Sequence, residues 1–213
     1  MIKAVLWDFG GVVTTSPFEA FNRFERANDI PLDFIRTTNA TNPNSNAWAK
    51  FESNQISLQE FDTLFAEETG ARGHEISGST VVQLLSGELR PQMVTALSRI
   101  SEKYKTACLT NNMKTGEGPS MQRGSEGAKR TGEVMDMFDV IIQSSVVGVR
   151  KPDPKFYLLA CEQLEIAPQE AVFMDDLGIN LKPARELGMT TIKVIDVAAT
   201  LSELESILSM KLT

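Results

Sequence analysis

Ile2-Lys3-Ala4-Val5-Leu6-Trp7-Asp8-Phe9-Gly10-Gly11-Val12-Val13-Thr14 is the stretch on which the fold turns. The apolar run from Ile2 to Trp7 reads as a strand, and Asp8 closes it, so the strand delivers one carboxylate into a glycine turn. A carboxylate at a strand's carboxyl end can attack a phosphoryl group or bind a cation. Gly10 and Gly11 let a ligand approach the backbone closely.

After this strand the periodicity becomes helical. Phe18, Phe21 and Phe24 recur at helical spacing, and Ser57-Leu58-Gln59-Glu60 has the form of a capping box opening a helix with Phe61, Leu64 and Phe65. The segments 39–46 and 70–78 read as loops between such helices. From Pro91 the pattern changes again. A helix with Met93, Val94, Leu97 and Ile100 leads to strand Thr106–Leu109, strand Val140–Ile142, a helix after Pro154, strand Ala171–Met174, a helix from about Gly178 to Leu187 and strand Thr191–Val194. Thr200-Leu201-Ser202-Glu203 predicts the start of a last helix carrying Leu204, Ile207 and Leu208.

Strands separated by helices indicate right-handed parallel crossovers: an α/β fold with a doubly wound, Rossmann-like sheet. The expected division is a core of residues 1–15 and 91–213 with an inserted all-helical cap at 16–90, joined through linkers near Ser16 and Pro91. Ligands of such sheets bind past the strands' carboxyl ends.

The chain has 213 residues, 42% of them hydrophobic and 23% charged, enough to bury a sizeable core. Its 21 basic and 28 acidic residues give a net charge of −7. That balance disfavours nucleic acid and anionic membranes as partners. No apolar run reaches the roughly 20 residues that span a bilayer, and Met1-Ile2-Lys3 runs straight into a strand, so a cytoplasmic protein without a signal peptide is expected. Cys108 and Cys161 fall on apolar patterns and are expected to be buried thiols.

Polar residues collect where the topology predicts a site. Asp8 follows the first strand, Thr110-Asn111-Asn112 the second, Arg150-Lys151-Pro152 comes after the third, and Asp175-Asp176 follows the fourth. With Asp8, the paired acids supply the hard oxygen ligands that octahedral magnesium prefers. Thr110 and Asn111 offer hydroxyl, amide and backbone donors to phosphoryl oxygens, and Lys151 can neutralise both nucleophile and phosphate. Any one of these alone reads as a helix cap, a turn or a surface lysine; the constellation points to chemistry.

The order Asp8, Thr110, Lys151, Asp175-Asp176 resembles the four motifs of the haloacid dehalogenase-like hydrolases, in the subclass with an all-helical cap. Leu109 to Asn112, Gly148 to Pro154 and Phe173 to Lys182 look like the amino-terminal phosphatase domain of soluble epoxide hydrolases and the related domain preceding certain acyl-CoA dehydrogenases. Epoxide hydrolysis itself is not implied, since it belongs to another domain. The resemblance implies Asp8 as a nucleophile that forms an aspartyl-phosphate, and Asp175 as a supporting acid. It implies magnesium held by Asp8, Asp176 and the backbone carbonyl of Gly10. Asn180 stands where many relatives carry another acid, and is expected to orient Asp176 or a metal-bound water.

Phosphatases of this family usually carry a second aspartate two residues after the nucleophile, where this chain has Gly10. The missing group would protonate the leaving alkoxide and then activate water, help worth about 10² to 10⁴ in rate. Substrates with good leaving groups, such as acyl phosphates or sugar 1-phosphates, would suffer less in the first step. Gly10 also admits two other readings: a module that binds phosphorylated ligands with impaired turnover, and a 2-haloacid dehalogenase. The Asp175-Asp176 pair argues against the latter, which needs no cation. The expected activity is therefore magnesium-dependent hydrolysis of a small phosphorylated metabolite. Two readings concern the remainder of the chain. Residues 113–133, glycine-rich with Lys114, Arg123, Lys129 and Arg130, read as a loop leaving the site, and the lone His74 reads as a cap-loop residue without a catalytic task.

Overall fold

The computed structural model describes residues 1–85, 87–112 and 125–212. The opening run forms strand β1 (Ala4–Trp7), buried throughout. β2 (Lys105–Thr110), β3 (Val140–Gln143), β4 (Ala171–Asp175) and β5 (Thr190–Lys193) follow. All pair in parallel in the order β3-β2-β1-β4-β5, so β1 is central. The chain first builds outward from β1 through β2 and β3, then returns to β1's other side with β4. That reversal creates the crevice at the carboxyl ends of β1 and β4 where such sheets take ligands.

Helices cover both faces because strand side chains alternate. Val5, Trp7, Cys108, Val172 and Met174 share one apolar cluster with α6 (Pro91–Ser101), α7 (Ser125–Met135) and α11 (Val197–Leu208). Ala4, Leu6, Ala107, Leu109 and Phe173 share another with α9 (Pro154–Gln163) and α10 (Gly178–Glu186). Cys108 and Cys161 are buried free thiols, as expected.

Between β1 and α6 every described regular element is helical: α1 (Pro17–Ala27), α2 (Phe34–Asn39), α3 (Ala47–Glu52), α4 (Leu58–Gly70) and α5 (Gly78–Gln83). The capping box at Ser57 and Glu60 is present, with both reciprocal hydrogen bonds. These helices enclose their own cluster, in which Phe51 stacks on Phe61 at 4.5 Å and Trp48 meets Phe21, Phe61 and Phe65. Burying side chains such as Phe61 and Phe65 contributes about 1.5–3 kcal/mol each. Phe21, Phe34, Phe51, Phe61 and Phe65 are thus core, with Phe18, Phe24 and Trp48 partly buried against them, and Asn46 is the cap of α3, accepting from Ala49 N at 2.8 Å. The chain leaves and re-enters the sheet side by side: Thr15 N donates to Glu88 O at 2.8 Å and Arg90 N to Val13 O at 2.9 Å.

Two sequence expectations are corrected. The last helix begins at Val197, capped by Asp196, whose carboxylate accepts from Ala199 N at 2.9 Å; Thr200 lies inside it and donates to Asp196 O. Asp196 satisfies an orphan amide one turn earlier than the Thr200 pattern suggested. The expected loop at 113–133 is helical from Ser125 onward, where Val134 and Met135 anchor α7 against the sheet, while residues 113–124 lie outside the described residues. No helix among the described residues is long and apolar enough to cross a membrane.

Candidate active site

Asp8 leaves β1 pinned to β4 by its backbone N–H, which donates to Met174 O at 2.9 Å. Its Oδ1 accepts from Phe9 N at 2.7 Å and from Lys151 Nζ at 2.8 Å. Its Oδ2 takes no hydrogen bond among the described residues. One oxygen is therefore held and the other left open, as an attacking carboxylate needs.

Lys151 is fully buried between two carboxylates, with Nζ also 2.8 Å from Asp175 Oδ2. Burial alone would lower its pKa, but Asp175 and Asp8 override that and hold the ammonium well above its usual range. Asn111 fixes its main chain from both sides, donating through Nδ2 to Lys151 O at 3.0 Å and accepting from Lys151 N at 2.9 Å. The Asn111 amide, expected to face phosphate, is thus engaged in placing Lys151. Thr110 lies buried at the end of β2, and its hydroxyl takes no hydrogen bond among the described residues. Asn112 clasps α8 (Ser144–Val147), the single helical turn after β3, through Ser144 and Ser145.

Asp175 is saturated. Its Oδ1 accepts from Leu177 N at 2.8 Å and Asn180 Nδ2 at 3.0 Å, and its Oδ2 from Lys151 and Asn180. Asn180 thus orients Asp175 and not Asp176, and is itself steadied by Tyr157, whose hydroxyl donates to Asn180 O at 2.7 Å. Their separation of five residues, from strand end to first helical turn, was the only signal; nothing in the sequence pointed to Tyr157.

Asp176 is half-buried, and its only described hydrogen bond comes from Ser16 Oγ at 3.5 Å. Ligand atoms of Asp8, Asp175 and Asp176 lie within 4.8 Å of one another. An all-oxygen donor set fits a hard cation, and with Asp175 saturated the open oxygens belong to Asp8 and Asp176. Burial pushes the Asp8 carboxyl well above its ordinary range; Lys151 opposes this, while Asp175 and Asp176 add to it. A bound cation would reverse that push.

The glycines differ. Gly11 has φ +81°, and a Cβ there would overlap the Asp176 carboxylate. Gly11→Ala is expected to cost about 1–3 kcal/mol of stability and to weaken divalent-cation affinity, read by thermal denaturation and cation titration. Gly10 has φ −70° and ψ 126°, and a Cβ would meet nothing within 4 Å.

A family model described as haloacid dehalogenase-like hydrolase matches residues 2–188. Acyl-CoA dehydrogenase family member 10 of Mus musculus is 34% identical over 99% of this chain, and bifunctional epoxide hydrolase 2 of Sus scrofa 31% identical over 99%. This chain spans only 19% and 40% of their lengths. The sesquiterpene phosphatase astK of Aspergillus oryzae is 26% identical, covering 96% of both chains. A haloacid dehalogenase family enzyme of Bacteroides thetaiotaomicron, solved with magnesium and inorganic phosphate, superposes with a TM-score of 0.60 at 21% identity, covering 93% of this chain and 98% of its own.

Proposed function

The chain belongs to the haloacid dehalogenase-like hydrolase family, and from that premise we propose that it is a magnesium-dependent phosphohydrolase acting on a small phosphorylated metabolite through Asp8. The observation that carries this reading is the Asp8 carboxylate, with Oδ1 held by Lys151 and the Phe9 N–H, Oδ2 open, and Asp176 beside it. The full-length similarity to a sesquiterpene phosphatase supports the reaction class. Residues 16–90 form the cap in this reading, 1–15 and 91–213 the core, and the cytoplasm is its location.

Asp8, Asp176 and the Gly10 carbonyl would hold magnesium, which supplies charge neutralisation for the transferring phosphoryl group. Asp8 attacks phosphorus through its open oxygen, and the bond to the leaving oxygen breaks. Lys151 and the Thr110 hydroxyl stabilise the charge on the phosphoryl oxygens. Water then attacks the aspartyl-phosphate, releasing phosphate and restoring the carboxylate. Asp175 and Asn111 keep Lys151 in place throughout.

The testing experiment is phosphate release from acetyl phosphate, p-nitrophenyl phosphate and a panel of sugar phosphates, with magnesium or with EDTA. Magnesium-dependent release is expected. Its absence with every substrate, alongside binding of phosphate or a phosphate mimic, would favour the second reading that Gly10 admits, a ligand-binding module with impaired turnover. The open oxygen of Asp176 speaks against a cation-free dehalogenase.

Acid weakens the site in a defined window. The Asp176 carboxyl is pushed up to about 6, first by burial and then by the Asp175 carboxylate. Magnesium binds the ionised form, so protons compete below that value. Magnesium affinity is expected to rise as pH increases through about 6, by calorimetric titration without substrate. Without cation the folded state holds the Asp176 proton more tightly than the unfolded chain. Stability contributed there is accordingly lost as pH rises from the ordinary carboxylate range to about 6.

A further inference from the structure

Lys151 has a neighbour that faces the other way. Arg150 Nε lies 2.7 Å from Glu52 Oε2 at the end of α3, and its Nη1 donates to Pro43 O at 3.0 Å. The pair is mostly withdrawn from water, with side-chain exposures of 23% for Arg150 and 8% for Glu52. It is the one ion pair among the described residues that joins the helical segment to the sheet domain; the others lie within the latter.

We propose that Arg150 is a positioning residue through which the cap holds Lys151 against Asp8, so that seating the cap and presenting the ammonium to the nucleophile are one event. This rests on the phosphohydrolase reading. Arg150 and Lys151 are consecutive, so their Cα atoms lie about 3.8 Å or less apart, and a displacement of one backbone unit is passed to the next. The Lys151 main chain is clamped on one side by Asn111. Arg150 supplies the tether on the other side, to two points of the cap at once, as the planar guanidinium allows.

The ion pair stands beside an opening between the two surfaces. A cavity of about 460 Å³ separates the two surfaces alongside it, with Asn44, Ala49 and Ser53 on the cap side and Val149, Pro152 and Pro154 on the other. Across that gap the Arg150 contacts hold the loop to the cap. When the cap lifts, Glu52 and Arg150 part, and the loop carrying Lys151 loses its anchor on the cap side while Asn111 and Asp175 still hold it.

Two variants test this. Glu52→Gln removes the charge in place, while Arg150→Met with Glu52→Leu removes the whole pair without leaving a buried charge unmatched, a change folds commonly tolerate. Both are expected to lower kcat about tenfold to a hundredfold, as small misplacements of a catalytic group do, with KM less affected. The second measurement needs neither metal nor substrate: acetylation of Lys151 by acetic anhydride, followed by mass spectrometry. Buried Lys151 is expected to be unreactive in the parent and to become acetylated in both variants, while Cys108 and Cys161 stay protected from thiol reagents. Parent kcat with unreactive Lys151 in the double variant would overturn the proposal. So would acetylation that rises only together with thiol labelling, which reports general loosening. Should the parent release no phosphate, acetylation decides alone, and that failure falls on the phosphohydrolase reading.

Discussion

Asp8→Asn is expected to abolish phosphate release, by roughly 10⁴ to 10⁶ in kcat, while leaving the melting temperature unchanged or higher. The amide keeps an oxygen that can accept from Phe9 N and Lys151 Nζ, so the two contacts that orient residue 8 persist. It removes the nucleophilic oxygen. The stability expectation follows from the direction of the Asp8 shift: burial makes the ionised carboxylate costly in the folded state, so at neutral pH the charge opposes folding. Function and stability pull apart at this residue, as is common where a site is assembled from buried charge. Parallel kinetics and thermal denaturation of the variant check both halves; retained turnover would remove Asp8 from the nucleophile's role.

The sheet was legible because its central strands are apolar on both faces. β1 and β4 have no polar residue before the aspartate that follows the one and ends the other, and that abrupt change marks both the strand end and the ligand rim. Cap helices could be read where aromatic spacing or a capping box announced them, as at Phe18 to Phe24 and Ser57 to Glu60. Thr200 misled because a threonine inside a helix can return its hydroxyl to the backbone one turn earlier, so the same Thr-x-x-Glu pattern serves an interior position.

Within the candidate site, residue identities were legible and partnerships were not. Lys151 could be recognised as a cation for phosphate, yet sequence gave no sign that it also neutralises Asp175, so that removing it would leave two buried carboxylates facing each other. Asn111 read as a donor to phosphate, and Asn180 as the residue orienting Asp176 or a metal-bound water. Their geometry turns both inward, one to the Lys151 backbone and one to Asp175. Ser16 read only as a linker position, although its side chain caps α1 and its hydroxyl reaches Asp176. Apart from Asn180, only five positions from Asp175, these roles depend on contacts across 24 to 160 positions of chain, which no local pattern encodes.

Gly10→Asp is expected to raise turnover of alkyl phosphates by about 10² to 10⁴. The substitution asks little of the fold. Gly10 already has the extended conformation of an ordinary L-residue, and the space its side chain would enter is open. Gly11 next to it could not take the same change, because its positive φ and the Asp176 carboxylate forbid a Cβ. An added carboxylate near Asp8 and Asp176 increases repulsion there, which magnesium offsets when bound, so the variant's magnesium requirement should sharpen. The gain should depend on the leaving group: large for a sugar 6-phosphate, whose alkoxide needs a proton, and smaller for p-nitrophenyl phosphate or acetyl phosphate, which depart without one. A basic limb and an acidic limb should appear together in the pH–rate profile as the new group alternates between acid and base. Equal rates for parent and variant across all leaving groups, with the fold intact by thermal denaturation, would mean that the opening beside Gly10 is not where proton transfer occurs. The natural substrate would then have to fill that space with a group of its own.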